Sequence, residues 1–291
     1  MKRFLLLIVT ASLLFAAFPA GSFSEDESFT VAASFYPIYV FAQNVAYGTN
    51  TKVLCMTSNT TGCLHDYQLL PGDLTRLEGA GLLLINGAGM EQFLDDITAV
   101  FPSMPVVSCT EGIELIMNED GEANAHVWLD PENAAVMTHN IGEALAGIDA
   151  KNADLYRKNA DAYILKLKAL DEELTEILQP LSRREIVTFH EAFPYFAKAY
   201  DLQVIASVTT EPDESISPRK LALLCGQIAA AGNPPLFAEP QYSPDAALAI
   251  CAETGASLWE LDPVVTGDGS PDSYISAMRK NAEVLAEALS R

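Results

Sequence analysis

Short apolar runs alternate with longer amphipathic segments along the first half of the chain. Runs of four or five mostly apolar residues are typical of buried strands, and apolar residues at helical spacing indicate helices between them. The first half is predicted to hold strands at 31–35, 53–56, 82–86 and 106–109, and helices at 38–46, 72–78, 91–101 and 131–146.

The second half repeats this rhythm. It is predicted to hold strands at 185–189, 203–208, 236–238 and 257–261, and helices at 192–200, 218–230, 244–254 and 270–289. Strands that alternate with helices favour a parallel sheet covered on both faces. The predicted fold is therefore α/β, with two similar lobes, each a four-stranded parallel sheet with flanking helices, joined by one long helix.

The predicted joining helix carries one continuous apolar stripe. Its members are spaced alternately by four and three residues, which is the pattern of one helix face. They are Tyr156, Ala160, Tyr163, Leu167, Leu170, Leu174, Ile177 and Leu181. A helix from about 150 to 179 would be about 45 Å long at 1.5 Å per residue. We therefore divide the chain into an N-terminal lobe at 25–148, a connecting helix at 149–181 and a C-terminal lobe at 182–291.

The N-terminus has the pattern of a secretory signal peptide. Lys2 and Arg3 precede an apolar run at 4–18, and the small residues 20–22 follow it. The run is shorter than the roughly 20 residues that span a bilayer. We expect residues 1–24 to be removed. The first cysteine is Cys55, so the lipid-attachment cysteine of bacterial lipoproteins is missing, and we expect a free periplasmic protein.

Composition narrows the possible partners. The chain has 291 residues, 49% hydrophobic and 19% charged, which is enough apolar material for one large domain or two smaller ones. Its 17 basic and 39 acidic residues give a net charge of −22, which excludes nucleic acid as a plausible partner and weakly favours a cation.

Five cysteines permit at most two internal disulfides in an exported chain. The pairs close in sequence are Cys55 with Cys63, and Cys225 with Cys251, and geometry is needed to test either. Cys63 lies two residues before His65, but a disulfide or an inert role is favoured for it over metal binding.

Three of the four histidines follow predicted strands. His65 comes after the second strand, His126 after the fourth, and His190 directly after 185–189. Ligands bind at the carboxyl ends of parallel strands in such folds. The fourth, His139, lies in a predicted helix and is interpreted as a surface or packing residue. Without an HExxH or CxxC spacing, these positions alone are a weak metal signal.

The segments around these histidines resemble the metal-binding solute-binding proteins of bacterial ABC importers, the zinc and manganese uptake family. The resemblance covers nearly the whole mature chain. It is carried by Gly62-Cys63-Leu64-His65-Asp66-Tyr67 with Pro71-Gly72-Asp73, by Asn124-Ala125-His126-Val127-Trp128-Leu129-Asp130-Pro131, by Thr188-Phe189-His190-Glu191-Ala192-Phe193, by Phe237-Ala238-Glu239-Pro240-Gln241-Tyr242, and by Leu261-Asp262-Pro263.

The resemblance implies one metal site with ligands from both halves. His65, His126, His190 and Asp262 match the family's ligand positions. Three imidazoles with one carboxylate suit Zn(II). Manganese-type members tend to carry a glutamate at the third histidine position, so His190 favours zinc, with Mn(II) as the alternative.

Several neighbours of these residues leave alternatives open. Glu191 and Glu239 compete with Asp262 for the acidic position, and Asp262 is preferred. Tyr36 and Trp128 stand beside predicted cleft loops, although core packing is the favoured interpretation for both. Gln68 replaces a frequent family glutamate, and the histidine-rich loop of many zinc members is absent, since 118–122 is short and acidic.

The resemblance implies transport rather than catalysis. We expect a monomer that captures Zn(II) and delivers it to an ABC permease with its ATPase subunit, touching the membrane only through that permease. A secreted zinc-dependent hydrolase, with Glu191 or Glu239 as base, is the rival from another class. A fourth protein ligand at Asp262 disfavours it because the site would be closed. A surface adhesin on the same scaffold is the third alternative.

Overall fold

Two four-stranded parallel sheets, one in each half of the chain, form the centre of the fold. The computed structural model describes residues 28–57, 63–64, 67–118, 121–208, 216–241 and 243–290. The strand orders are β2-β1-β3-β4 and β6-β5-β7-β8, so the second sheet repeats the topology of the first. The predicted α/β fold with two similar lobes is confirmed. The predicted signal peptide at 1–24 lies outside the described residues.

The first lobe contains the strands predicted for it. Its elements are β1 (Thr30–Ala33), α1 (Tyr36–Ala46), β2 (Lys52–Cys55), α2 (Pro71–Leu77), β3 (Leu82–Ile85), α3 (Leu94–Val100), β4 (Val106–Ser108), a short 3-10 helix (Val127–Leu129) and α4 (Pro131–Ile148). The central strand β3 is buried along its whole length, as a continuous apolar run predicts for a sheet covered on both faces.

The second lobe follows one long helix, α5 (Ala153–Leu178). Its elements are β5 (Glu185–Thr188), α6 (Pro194–Ala199), β6 (Gln203–Ser207), α7 (Pro218–Ala230), β7 (Leu236–Ala238), α8 (Asp245–Thr254), β8 (Leu258–Glu260) and α9 (Ser273–Leu289). Within the described ranges, none of the helices combines the length and the apolar character needed to cross a bilayer.

Helix α5 is slightly shorter than predicted, and its apolar stripe ends differently. Its 26 residues span about 39 Å at 1.5 Å per residue. The stripe is buried from Tyr156 to Leu174 and continues at Leu178, whereas Ile177 is only half-buried and Leu181 lies beyond the helix. The stripe packs mainly against α4 and also against α1 and α9. The helix is thus part of the core.

Helix α3 begins three residues later than predicted because of Glu91. The buried carboxylate of Glu91 turns back to accept hydrogen bonds from the Ser34 hydroxyl at 2.7 Å and from two backbone amides, those of Asn86 and Gly87, at 2.7 and 3.0 Å. These bonds join the ends of β1 and β3, so the glutamate caps the sheet instead of starting a helix.

Residues 124–128, which we call the seam segment, connect the two lobes. Trp128 is fully buried, and its indole Nε1 donates to the Pro263 carbonyl at 2.8 Å. The Tyr274 hydroxyl of α9 donates to the Trp128 carbonyl at 2.6 Å. Tyr195 of α6 donates to the Asn124 carbonyl at 2.8 Å. The segment belongs to the first lobe but is anchored by hydrogen bonds from the second.

Tyr36 makes a second contact between the lobes. It is buried, its hydroxyl donates to Ser273 Oγ at 2.8 Å, and it accepts the Gly269 amide at 3.1 Å. A Cβ at Gly267 would collide with the Tyr36 hydroxyl, so only glycine allows this approach. The core-packing interpretation of Tyr36 and Trp128 is confirmed by their burial.

We expect Tyr274→Phe to lower the free energy of unfolding by about 1–3 kcal/mol, because the buried Trp128 carbonyl loses this donor. Urea denaturation measures the loss. Tyr47→Phe is the matched control, since Tyr47 is 76% exposed and its variant should keep wild-type stability. Equal stability of the two variants would show that the Tyr274 hydroxyl does not hold the seam segment in place.

Candidate metal centre

The imidazole of His126 is oriented by Asn124. His126 is 2% exposed and directly precedes the short 3-10 helix. Its backbone amide and its ring Nδ1 both lie near Asn124 Oδ1, at 3.0 and 3.2 Å. Asn124 Nδ2 donates to the Glu191 carbonyl at 2.9 Å, which fixes Oδ1 as the atom that faces His126. Nδ1 therefore carries the proton, and Nε2 presents a lone pair.

The imidazole of His190 is oriented in the same way by a carboxylate. His190 follows β5 and is 1% exposed, and its Nδ1 lies 2.9 Å from Glu239 Oε1. Since the carboxylate accepts the Nδ1 proton, Nε2 is again the nitrogen with a lone pair. This buried Nε2 has no hydrogen-bond partner among the described residues. Such an atom costs roughly 1–3 kcal/mol unless something binds it.

The two imidazoles meet at the boundary between the lobes. Their ring centroids are 4.9 Å apart, with the planes at 75°. Cys63 joins them, because its Sγ lies 3.4 Å from His126 Nε2. One candidate ligand atom from each of Cys63, His126 and His190 lies within 4.8 Å of the other two. A sulfur and two imidazole nitrogens at these separations can hold a metal ion.

The disulfide interpretation of Cys63 is wrong in this structure. All five cysteines, which all fall in described ranges, are thiols. The thiol of Cys63 lies beside the imidazole of His126. Spacing along the sequence does not reveal this contact, since 63 residues separate its partners.

Asp262 is held rigidly after β8 but stands outside the three-residue group. Asn281 of α9 accepts the Asp262 amide at 2.9 Å and donates to its carbonyl at 2.7 Å. Asp262 Oδ1 accepts the Val264 amide at 2.7 Å, and Val264 has a φ of 59°, an uncommon conformation for a β-branched residue. The turn is therefore strained and fixed, as ligand-binding loops often are.

The pKa of Asp262 is affected by the charge of Glu239, the hydrogen-bond partner of His190. Burial raises the pKa of Asp262 above its usual range, and the negative charges of Glu239 and Glu260 raise it further. The hydrogen bond from the Val264 amide opposes the rise. A cation bound near these carboxylates would offset their mutual repulsion.

His65 lies outside the described residues, so its role as a ligand stays a prediction. The chain that follows it is anchored by Asp73 at the start of α2. Asp73 Oδ2 accepts the Tyr67 hydroxyl at 2.7 Å and the Leu70 amide at 2.8 Å. His139 is exposed on α4, as expected for a residue without a ligand role.

The contacts that Cys63, Asn124 and Glu239 make with the two imidazoles were not predicted from the sequence. Glu239 was named as a competitor of Asp262 for the acidic position, whereas in the structure it is 4% exposed and hydrogen-bonded to His190 Nδ1. The informative signal is the strand order, because β7 pairs with β5 and brings their carboxyl ends together. Asn124 stands two residues before His126 and could have been recognised as a candidate orienting group.

Known proteins resemble this chain over nearly its whole length. The family model for zinc-uptake complex component A, periplasmic (ZnuA), matches residues 31–288. The chain is 29% identical to the iron-binding protein YfeA of Yersinia pestis, over 97% of this chain and 93% of that protein. It is 26% identical to the high-affinity zinc uptake system protein ZnuA of Brucella suis biovar 1, over 97% of both. A crystal structure of ZnuA superposes with a TM-score of 0.81 at 28% identity, covering 90% of this chain and 99% of that one.

Replacing the Glu239 carboxylate by an amide should weaken metal binding. We expect Glu239→Gln to reduce Zn(II) affinity by about ten- to a hundredfold, because hydrogen-bond partners of metal-bound histidines have effects of this size. Competition with a chromogenic chelator measures the change. Glu253→Gln, on the exposed face of α8, is the matched control and should bind like wild type. Unchanged affinity in Glu239→Gln would argue against His190 as a ligand.

Proposed function

The chain belongs to the ZnuA family of periplasmic zinc-uptake components, and from that premise we propose that it captures Zn(II) between its lobes and delivers it to an ABC permease. The observation that carries the proposal is the pair of buried histidines, one from each lobe, that both present Nε2. Asn124 and Glu239 fix both rings with the proton on Nδ1. Neutral imidazoles oriented in this way are ready-made ligands for a transition metal.

We assign the ligand set to His65, His126, His190 and Asp262. For His126 and His190, the support is the geometry of the two rings. For His65 and Asp262, the support is their match to the family's ligand positions. The fixed turn at Asp262 and the carboxylates near it suit a cation. Because bound imidazoles must be unprotonated, acid should lower the affinity.

Zn(II) is preferred over Mn(II) because of the donor types. Imidazole nitrogens bind zinc well, whereas manganese favours sites made mainly of carboxylate, carbonyl and water oxygens. The names of the relatives include both a zinc uptake protein and an iron-binding protein, so the family name alone does not decide the metal. The nitrogen-rich pair of His126 and His190 favours zinc over manganese.

Transport is favoured over hydrolysis by the position of Glu239. A zinc hydrolase needs a base beside a metal-bound water and an open coordination position. Glu239 is instead buried behind His190 and accepts its Nδ1 proton. We therefore propose a binding protein without enzymatic activity.

The proposal also concerns where the protein is located and which transporter subunits receive the ion. We propose a periplasmic monomer, released by cleavage of the signal peptide at 1–24. It would hand the ion to a permease whose ATPase subunit drives import. The hydrogen bonds to the seam segment and the length of α5 favour small lobe movements over a wide hinge opening.

Calorimetric titration of metal-stripped protein tests the proposal. We expect one Zn(II) per chain, bound more tightly than Mn(II). Replacing the hydrogen-bond partner of a metal ligand lowers affinity by up to roughly a hundredfold. We expect His126→Ala and His190→Ala each to lower the Zn(II) affinity by more than that, since each removes a donor atom. His139→Ala is the matched control and should bind like wild type, because His139 is exposed on α4. Tighter binding of Mn(II), or indifference to both substitutions, would contradict the proposal.

A further inference from the structure

We propose that Cys63 is a metal ligand, binding the ion through Sγ together with His126 and His190. The inference rests on the proposed function, because it concerns the same interlobe site. A sulfur donor is thereby added to a ligand set otherwise made of imidazoles and a carboxylate.

The contact between Cys63 and His126 joins two ligand atoms. Asn124 holds the His126 proton on Nδ1, so Nε2 can only accept. The Cys63 thiol, 3.4 Å away, therefore donates its proton to Nε2. A metal ion between these atoms replaces that proton: Sγ and Nε2 each donate a lone pair to the ion, and the thiol proton passes to solvent.

The Nε2 atom of His190 supports the same assignment independently. Its Nε2 is buried without a hydrogen-bond partner among the described residues, and its ring lies 4.9 Å from that of His126. A hydrogen bond between Cys63 and His126 alone would leave this nitrogen unexplained. An ion bound to all three donors satisfies it, because their ligand atoms lie within 4.8 Å of one another.

A thiolate changes what the site selects. Soft thiolate ligands favour Zn(II), whereas Mn(II) prefers oxygen donors. A sulfur from Cys63 beside two imidazoles therefore strengthens the preference for zinc beyond that of nitrogen and oxygen donors alone. Cys63 becomes a residue that determines specificity, placed in the loop that also carries His65.

X-ray absorption at the zinc edge tests this directly. The full-length mature protein is stripped, loaded with one equivalent of Zn(II) and washed with a weak chelator. We expect one sulfur scatterer at about 2.3 Å in addition to nitrogen and oxygen scatterers at about 2.0–2.2 Å. Cys63→Ser should lose the sulfur shell, and its Zn(II) affinity should fall by a larger factor than its Mn(II) affinity.

Cys225→Ser, on α7 and distant in sequence from the site, is the matched control and should keep the sulfur shell. Wild-type protein that binds one Zn(II) with only nitrogen and oxygen neighbours would overturn the inference and leave the proposed function standing. A sulfur shell that persists in Cys63→Ser would also overturn it. Failure of the wild-type protein to bind Zn(II) at all would instead contradict the proposed function.

Discussion

The candidate site depends on the way the seam segment is fastened to the second lobe. Hydrogen bonds from Tyr195 and Tyr274 reach its two ends, at the Asn124 and Trp128 carbonyls, and His126 lies between them. The bond from Tyr274 is buried, so breaking it leaves the Trp128 carbonyl unsatisfied in a medium of low dielectric, and the bond from Tyr195 is partly buried. The position of His126 relative to the second lobe is therefore set by hydrogen bonds from two tyrosine side chains to the main chain around it.

Asn124 of the seam segment makes hydrogen bonds beside both imidazoles. Asn124 uses its carbonyl oxygen to fix the His126 tautomer and its amide nitrogen to bind the Glu191 carbonyl, next to His190. Glu239 fixes the second ring from the strand beside β5. Both rings thus present Nε2 before any ligand arrives. Preorganisation of this kind lowers the cost of binding, because little side-chain freedom remains to be lost.

Much of the fold could be predicted because its elements follow the periodicity of apolar residues. The buried run of β3 and the stripe of α5 are examples in which local pattern and packing agree. The late start of α3 was missed because Glu91 is used to join strand ends, which is a tertiary contact that periodicity does not contain. At the end of α5, Leu178 is buried where the spacing predicted Ile177, and this difference is set by packing.

The site was only partly predictable. Strand ends pointed to His126 and His190, but their orienting partners depend on strand order and on hydrogen bonds between distant residues. Cys63 was misjudged because sequence proximity suggested a disulfide, whereas the fold brings it to His126. His65 and Asp262 remain predictions from family resemblance, and Asp262 stands apart from the three-residue group.

The central claim is that one ion is held between the lobes by His126 and His190. Zinc-edge anomalous diffraction from crystals of stripped protein, reloaded with one equivalent of Zn(II), tests it most directly. The account predicts a single strong peak at about 2.0–2.1 Å from Nε2 of both histidines. A peak bound to only one of them, or to carboxylates on the surface, would contradict it.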